Sequence, residues 1–233
     1  MLLSTPGLVL HTTPYADTSV VAKVFTRQLG VRSYIIKGVR SRTGKVKQNM
    51  LQPLSSLDMV VYDNHRNDLN HIRELSPRHP LQSSDPVDMA LRFFMTEVLY
   101  RALREEEPMQ ELWDYVENES GEWETDGAER KDVPIRFLLT VARHLGIEPM
   151  DNYCNTKPYF CLEEGRYVSS QNESTLPLSL SALLHEYLAS SQTVPSTSME
   201  RGNLLDAMIA YFQLHLSGFR NFNSHEILHT VLR

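Results

Sequence analysis

Cysteine is scarce in this 233-residue sequence, which holds only Cys154 and Cys161. Two cysteines cannot build the disulfide framework of a small secreted protein, and they fit a reducing cytoplasm. Long apolar runs are missing as well. No stretch of eighteen apolar residues occurs, so no transmembrane helix is expected. The opening MLLSTPGLVLHTTPY has no basic stretch ahead of an apolar core and does not read as a signal peptide. Its alternation is that of a first strand. No Gly-x-Gly-x-x-Gly and no nucleophile elbow is present, and scattered Ser, His and Asp residues make no triad without geometry. Internal repeats and low-complexity tracts are absent too. What remains is 41% apolar and 22% charged, a globular composition long enough for one large domain or two to three small ones.

Acid is the next absence. Between Asp17 and Asp58 there is no Asp or Glu, while Lys23, Arg27, Arg32, Lys37, Arg40, Arg42, Lys45 and Lys47 all fall there. Residues 1–79 hold 11 Lys and Arg against 5 Asp and Glu, and residues 80–233 hold 12 against 24. The overall charge of −6 therefore hides a basic first third and an acidic remainder. A surface with no binding role usually mixes the two signs, so this asymmetry points to a polyanion such as nucleic acid. The alternative is that these cations only keep the surface solvated.

The basic third reads as short strands. Gly7–Thr13, Ser19–Arg27, Val31–Val39, Leu57–Tyr62 and Asn70–Leu75 are β-branched or aromatic-rich and are separated by turn residues. In the second, Val20, Ala22 and Val24 face one way, and Val21, Lys23, Phe25 and Arg27 the other. Arg40–Gln48 is a polar, basic loop around Gly44. Five short strands in eighty residues suggest a small closed barrel, and the five-stranded barrel that commonly binds single-stranded nucleic acid is the OB-fold. Phe25 and Tyr34 share strand faces with cations and are candidate stacking rings. The competing reading puts both in the barrel core.

From residue 84 the period becomes helical. Ser84 or Asp85 can cap a helix with Pro86 in its first turn. Met89, Phe93, Thr96, Tyr100 and Leu103 make one apolar stripe, and Leu91, Phe94, Met95, Val98 and Ala102 a second, as in a central bundle helix. Further helices are expected near Met109–Glu117, Val133–Leu145, Leu178–Ala189, around Leu204–Leu216 and over Ser224–Leu232. Residues 105–132 carry twelve acids and read as a helix end plus an exposed loop.

Three motifs imitate enzyme signatures. His225-Glu226-Ile227-Leu228-His229 fits the zinc-protease pattern, but it lies four residues from the end of the sequence, with no room for a third ligand. Gly38 to Lys45 resembles a phosphate loop, yet it has five residues between the glycines and Val46 after the lysine, so it supports no nucleotide site. Cys154 and Cys161 fall short of the four ligands a structural zinc needs.

The run from Gly7 to Val21, then Val24-Phe-Thr-Arg-Gln-Leu-Gly30 and Ile36-Lys-Gly-Val-Arg-Ser-Arg42, resembles the N-terminal barrel of the RecO family. Arg136-Phe-Leu-Leu-Thr-Val-Ala-Arg-His-Leu-Gly146 resembles a helix of the same family. The resemblance covers most of the chain and is sharpest at its start. It implies a recombination mediator that binds single- and double-stranded DNA, anneals strands, and with RecR helps load RecA on DNA coated by single-strand binding protein. It also implies a cytoplasmic, nucleoid-associated protein whose helical domain docks the acidic C-terminal tail of single-strand binding protein, with Arg136 and then Arg143 as candidate contacts. The alternative role for both arginines is pairing with the acidic stretch at 105–132. Many members of the family carry a four-cysteine zinc module. Here only two of those cysteines remain, so the segment is expected to be metal-free and held by Tyr159, Phe160, Leu162 and Tyr167.

The expectation is thus an α+β protein. Residues 1–80 form an N-terminal five-stranded OB-fold barrel. Residues 81–233 form a mostly helical domain with a small zinc-less insertion at about 150–170. The candidate DNA contacts are Lys23, Arg27, Arg32, Tyr34, Lys37, Arg40, Arg42, Lys45 and Lys47. No catalytic residue, metal, cofactor or membrane partner is expected. The other readings are an OB-fold module that binds RNA, an adaptor whose basic loop meets an acidic protein, and a zinc hydrolase built on His225, Glu226 and His229.

Overall fold

The computed structural model describes residues 2–41, 46–62, 69–79, 85–121, 129–190 and 192–231. Strands β1 (Leu2–Tyr15), β2 (Ser19–Thr26), β3 (Gly30–Ile36), β4 (Ser56–Tyr62) and β5 (Leu69–Pro77) close into a barrel in the order β1-β2-β3-β5-β4. Closure rests on the length of β1. Its Gly7–Tyr15 portion lies antiparallel to β2, and its Leu2–Leu8 portion lies antiparallel to β4. The register slips between Val9 and His11, an irregularity of the kind that bends and twists a strand. β3 meets β5 in parallel over Ser33–Ile35 and Leu69–His71. This five-stranded topology is the OB-fold expected from the strand pattern.

The alternation in β2 falls as expected. Val20, Ala22 and Val24 enter the barrel core with Tyr34, Ile36, Leu57, Met59 and Val61. The turn from β2 to β3 needs glycine. Gly30 has φ +67°, and a Cβ there would lie 2.4 Å from the carbonyl oxygen of Glu107.

Helix α1 (Pro86–Ala102) is capped by Asp85, whose carboxylate accepts from the Val87 amide at 3.0 Å, with Pro86 in the first turn. Its second stripe is buried throughout, from Leu91 to Ala102. The first stripe is divided: Thr96 is buried, while Phe93 and Tyr100 remain 44% and 39% exposed. Helix α2 (Gln110–Gly121) buries Leu112, Trp113 and Val116, and Trp113 Nε1 donates to the Phe25 carbonyl at 2.9 Å. Both helices belong with the barrel in one compact unit, Met1–Glu122, and Trp123–Arg233 forms a second. The barrel strands end at Pro77, while the compact unit that contains them runs on to Glu122.

The second unit contains α3 (Val133–His144), α4 (Leu178–Ala189), α5 (Ser198–His215) and α6 (His225–Val231), with a hairpin of β6 (Tyr159–Cys161) and β7 (Arg166–Val168) between α3 and α4. Phe137, Leu138 and Val141 of α3, Leu184 of α4, and Leu204, Met208 and Phe212 of α5 form its core. Helix α5 starts with a capping box: Thr197 Oγ1 accepts from the Glu200 amide at 3.2 Å, and the Glu200 carboxylate accepts from the Thr197 amide at 2.8 Å.

The hairpin at 150–170 is held by aromatic packing. Phe160 and Tyr167 meet edge to face at 5.1 Å, and Tyr167 OH donates to the Ser181 carbonyl at 3.0 Å. Burial pushes the Tyr167 phenol far above its usual range. Tyr159 and Leu162 are half-buried at its margin. The side chains do not suit a zinc site. Cys161 is buried, Cys154 is exposed with its sulfur 3.2 Å from Thr156 Oγ1, and nearby His185 is bonded to Asp151. Among the described residues no group of three or more His, Cys, Asp or Glu is placed to hold a metal. Nor is any described helix long and apolar enough to cross a membrane.

Asp132 ties three segments of the second unit together. It is 2% exposed, and its two oxygens accept from Tyr187 OH at 2.7 Å and the Val194 amide at 3.1 Å. Asp132→Ala leaves two buried donors without acceptors and is expected to lower the unfolding free energy by about 2–3 kcal/mol. Tyr187→Phe removes one bond and is expected to lose about 1 kcal/mol. Urea titrations followed by circular dichroism check both, and equal midpoints for Asp132→Ala and the parent would refute this role.

Candidate nucleic-acid interface

The eight cations of the acid-free window do not share one environment. Three of them, on β2, just after it and on β3, face acids from the segment around α2. Lys23 Nζ lies 2.8 Å from Glu105 and 4.9 Å from the centre of the Tyr100 ring. Arg27 makes a two-pronged bond to Asp114, at 2.6 and 2.8 Å. Arg32 is 5% exposed, and its Nη1 donates to Glu106 at 2.8 Å. A fourth contact joins the other end of α2 to the barrel: Glu117 accepts from Ser56 Oγ at 2.7 Å and pairs with Arg78 at 2.9 Å. The hydrogen bonds from Arg27 hold the Asp114 carboxyl below the ordinary carboxylate range.

Lys37, Arg40 and Lys47 are exposed. Arg42 and Lys45 lie outside the described residues. Of the two candidate rings, Tyr34 is 1% exposed within the barrel core, and Phe25 is fully buried.

A groove runs along the barrel where β3 and β4 end, beside the first part of β5. Ile35, Lys37, Tyr62, His71 and Arg73 line it, with Ile72 and Leu75 contributing apolar surface. Tyr62 is 49% exposed, at the last position of β4. Tyr62, His71 and Arg73 were not among the residues the charge pattern singled out. Strand parity carried a signal for Tyr62: it falls in step with Asp58 and Val60, opposite the inward Leu57, Met59 and Val61.

In the second unit, Arg136 donates to the Ser190 carbonyl at 2.9 Å and to the Gln192 carbonyl, and it stacks on the Tyr187 ring at 5.3 Å. Arg143 pairs with Glu148 at 2.8 Å. A separate small pocket is lined by Lys131, Pro134, Ile135, Arg201, Leu205 and Leu228. Of the protease-like motif, His229 bonds to Asp206 at 2.8 Å, and His225 stacks on Phe222 with ring centres 5.6 Å apart.

Fold and groove together define an OB-fold protein with a cationic barrel face and a separate helical unit. Residues 1–81 match the family described as Recombination protein O N terminal. Similar proteins extend the match to the rest of the chain. A DNA repair protein RecO of Phocaeicola vulgatus is 30% identical over 246 residues, covering 98% of both chains. Another, of Christiangramia forsetii, is 28% identical over 241 residues and covers 99% of each. One from Bacteroides fragilis is 28% identical over 238 residues, covering 98% of each. The chain belongs to the RecO family.

The paired cations Lys23, Arg27 and Arg32 are expected to act on stability. Arg32→Ala removes a charge-assisted bond at a buried site and should lower the unfolding free energy by about 2 kcal/mol. The salt dependence of oligonucleotide binding should stay unchanged, and a reduced salt slope at unaltered stability would contradict the assignment. For Arg27 the test is pH. The Asp114 carboxyl has a lowered folded value, so the pair's contribution is full above the ordinary value near 3.8 and is lost as pH falls through the lower folded one. The stabilities of parent and Arg27→Ala should therefore converge on acidification, as read by urea midpoints.

Proposed function

We propose that this protein acts in DNA repair as a recombination mediator. It binds single- and double-stranded DNA through the barrel, anneals complementary strands, and with RecR helps load RecA on DNA coated by single-strand binding protein. The observation that carries this reading is the cationic groove of the OB barrel in a chain related along its whole length to DNA repair proteins. Exposed Lys37, Arg40 and Lys47 supply phosphate contacts, and Arg42 and Lys45 of the same basic stretch join them. Contacts to backbone and stacked bases carry little sequence preference, which suits a protein that must handle any strand.

For the acidic, apolar-ended tail of single-strand binding protein, the second unit offers two seats. Arg136 and Arg143 remain candidates, although each is already bonded within the unit. The pocket beside Lys131 and Arg201 has the better chemistry, because its apolar wall of Ile135, Leu205 and Leu228 suits a greasy tail end next to cations.

The decisive experiment measures binding of a labelled single strand across a salt series, for the parent and for Arg40→Ala/Arg42→Ala/Lys45→Ala. The parent should bind at moderate salt with a steep log–log slope, and the triple variant should lose about two units of it, near 0.7 per phosphate contact. Annealing of complementary strands should slow in the same variant. Binding confined to very low salt, or unaltered by the three substitutions, would favour an adaptor for an acidic protein. A preference for RNA would favour the other OB-fold reading.

A further inference from the structure

The groove at the ends of β3 and β4 and the first part of β5 carries a feature that phosphate contacts alone do not use. Tyr62 presents 49% of its surface at the groove wall, on the outward face of β4. Tyr15 is equally exposed but does not line this groove. Lys37 and Arg73 line the same groove, and Ile35, Ile72 and Leu75 give it apolar surface. Arg73 is 51% exposed and pairs only loosely, at 3.4 Å, with its exposed neighbour Glu74. Such a surface pair is worth little and yields readily to a phosphate.

We infer that Tyr62 is a base-stacking platform and that this groove selects an unpaired DNA strand over a duplex. The inference rests on the DNA-binding reading above and deepens it. A flat exposed ring in a groove that also holds Lys37, Arg73 and apolar surface matches the two needs of a single strand: stacking for its bases and neutralisation for its backbone. In a duplex the base faces are already stacked on one another, and only edges and phosphates are offered to a protein. A duplex can therefore use Lys37 and Arg73 but not the ring of Tyr62, so the tyrosine contributes to the difference between the two ligands. The ring that the sequence pattern proposed for this role, Tyr34, is enclosed in the core.

Anisotropy titrations with a short labelled oligothymidylate, and with a duplex of the same length, test this. Tyr62→Ala should weaken single-strand binding about tenfold, within the range for loss of one stacked base, while duplex affinity stays at the parent value. Tyr62→Phe should keep both affinities, because the stacking face is retained. Lys37→Ala/Arg73→Ala should lower the single-strand salt slope by about 1.4, near 0.7 for each lost phosphate contact. Equal single-strand affinity for Tyr62→Ala and the parent overturns the inference, as does an equal loss for both ligands. If thermal melting shows Tyr62→Ala to be unfolded, the double variant at exposed positions decides, and an unchanged slope overturns the proposal. A parent that binds neither ligand defeats the DNA-binding reading itself, an outcome distinct from a parent that binds both while Tyr62→Ala behaves identically.

Discussion

A single strand serving two neighbours makes this barrel. β1 runs for 14 residues and pairs with β2 through one half and β4 through the other. Closing a sheet removes its edges, and with them the unpaired backbone groups that would invite aggregation. It also sets the side-chain parity of every strand, so that alternate residues fill the core and the others meet helices or solvent. The core tyrosine, the exposed tyrosine and the paired cations all take their positions from that parity.

The acidic segment around α2 changes how the charge of the barrel should be counted. Glu105, Glu106, Asp114 and Glu117 bond to Lys23, Arg32, Arg27 and Arg78 in turn. Trp113 adds an apolar anchor with its own hydrogen bond to β2. These cations bind the helical part of the same compact unit, which leaves the cationic character of the barrel concentrated near the groove and the basic stretch that follows β3. Among the described residues of the acid-free window, Lys23, Arg27 and Arg32 are thus paired within the unit while Lys37, Arg40 and Lys47 are exposed.

Much of the fold was legible in the sequence. β-branched and aromatic runs between turn residues located the five strands, and alternation gave the inward face of β2. Asp85 and Pro86 announced α1 through short-range capping chemistry, and Leu178–Ala189 emerged with its expected limits. The site was less legible, for a reason of distance. Arg27 and Asp114 are 87 residues apart, and Arg32 and Glu106 are 74 apart, so a local count of charge cannot see their pairing. Strand parity placed Tyr34 with Arg32, yet it did not say which face was the interior. Tyr62 escaped notice because it closes a strand with no cation beside it in sequence. Its neighbours in the groove come from β3 and β5.

Among the described residues the parallel seam between β3 and β5 is the shortest in the barrel, three residue pairs against seven in β2–β3. Parallel pairing is also slightly weaker per residue than antiparallel pairing. Local opening in proteins begins where few contacts must be broken, so this seam is the natural hinge line of the barrel wall. It runs beside Ile35 and His71, both of which line the groove. Opening along that line would change the width of the groove while β1 kept the remaining strands joined.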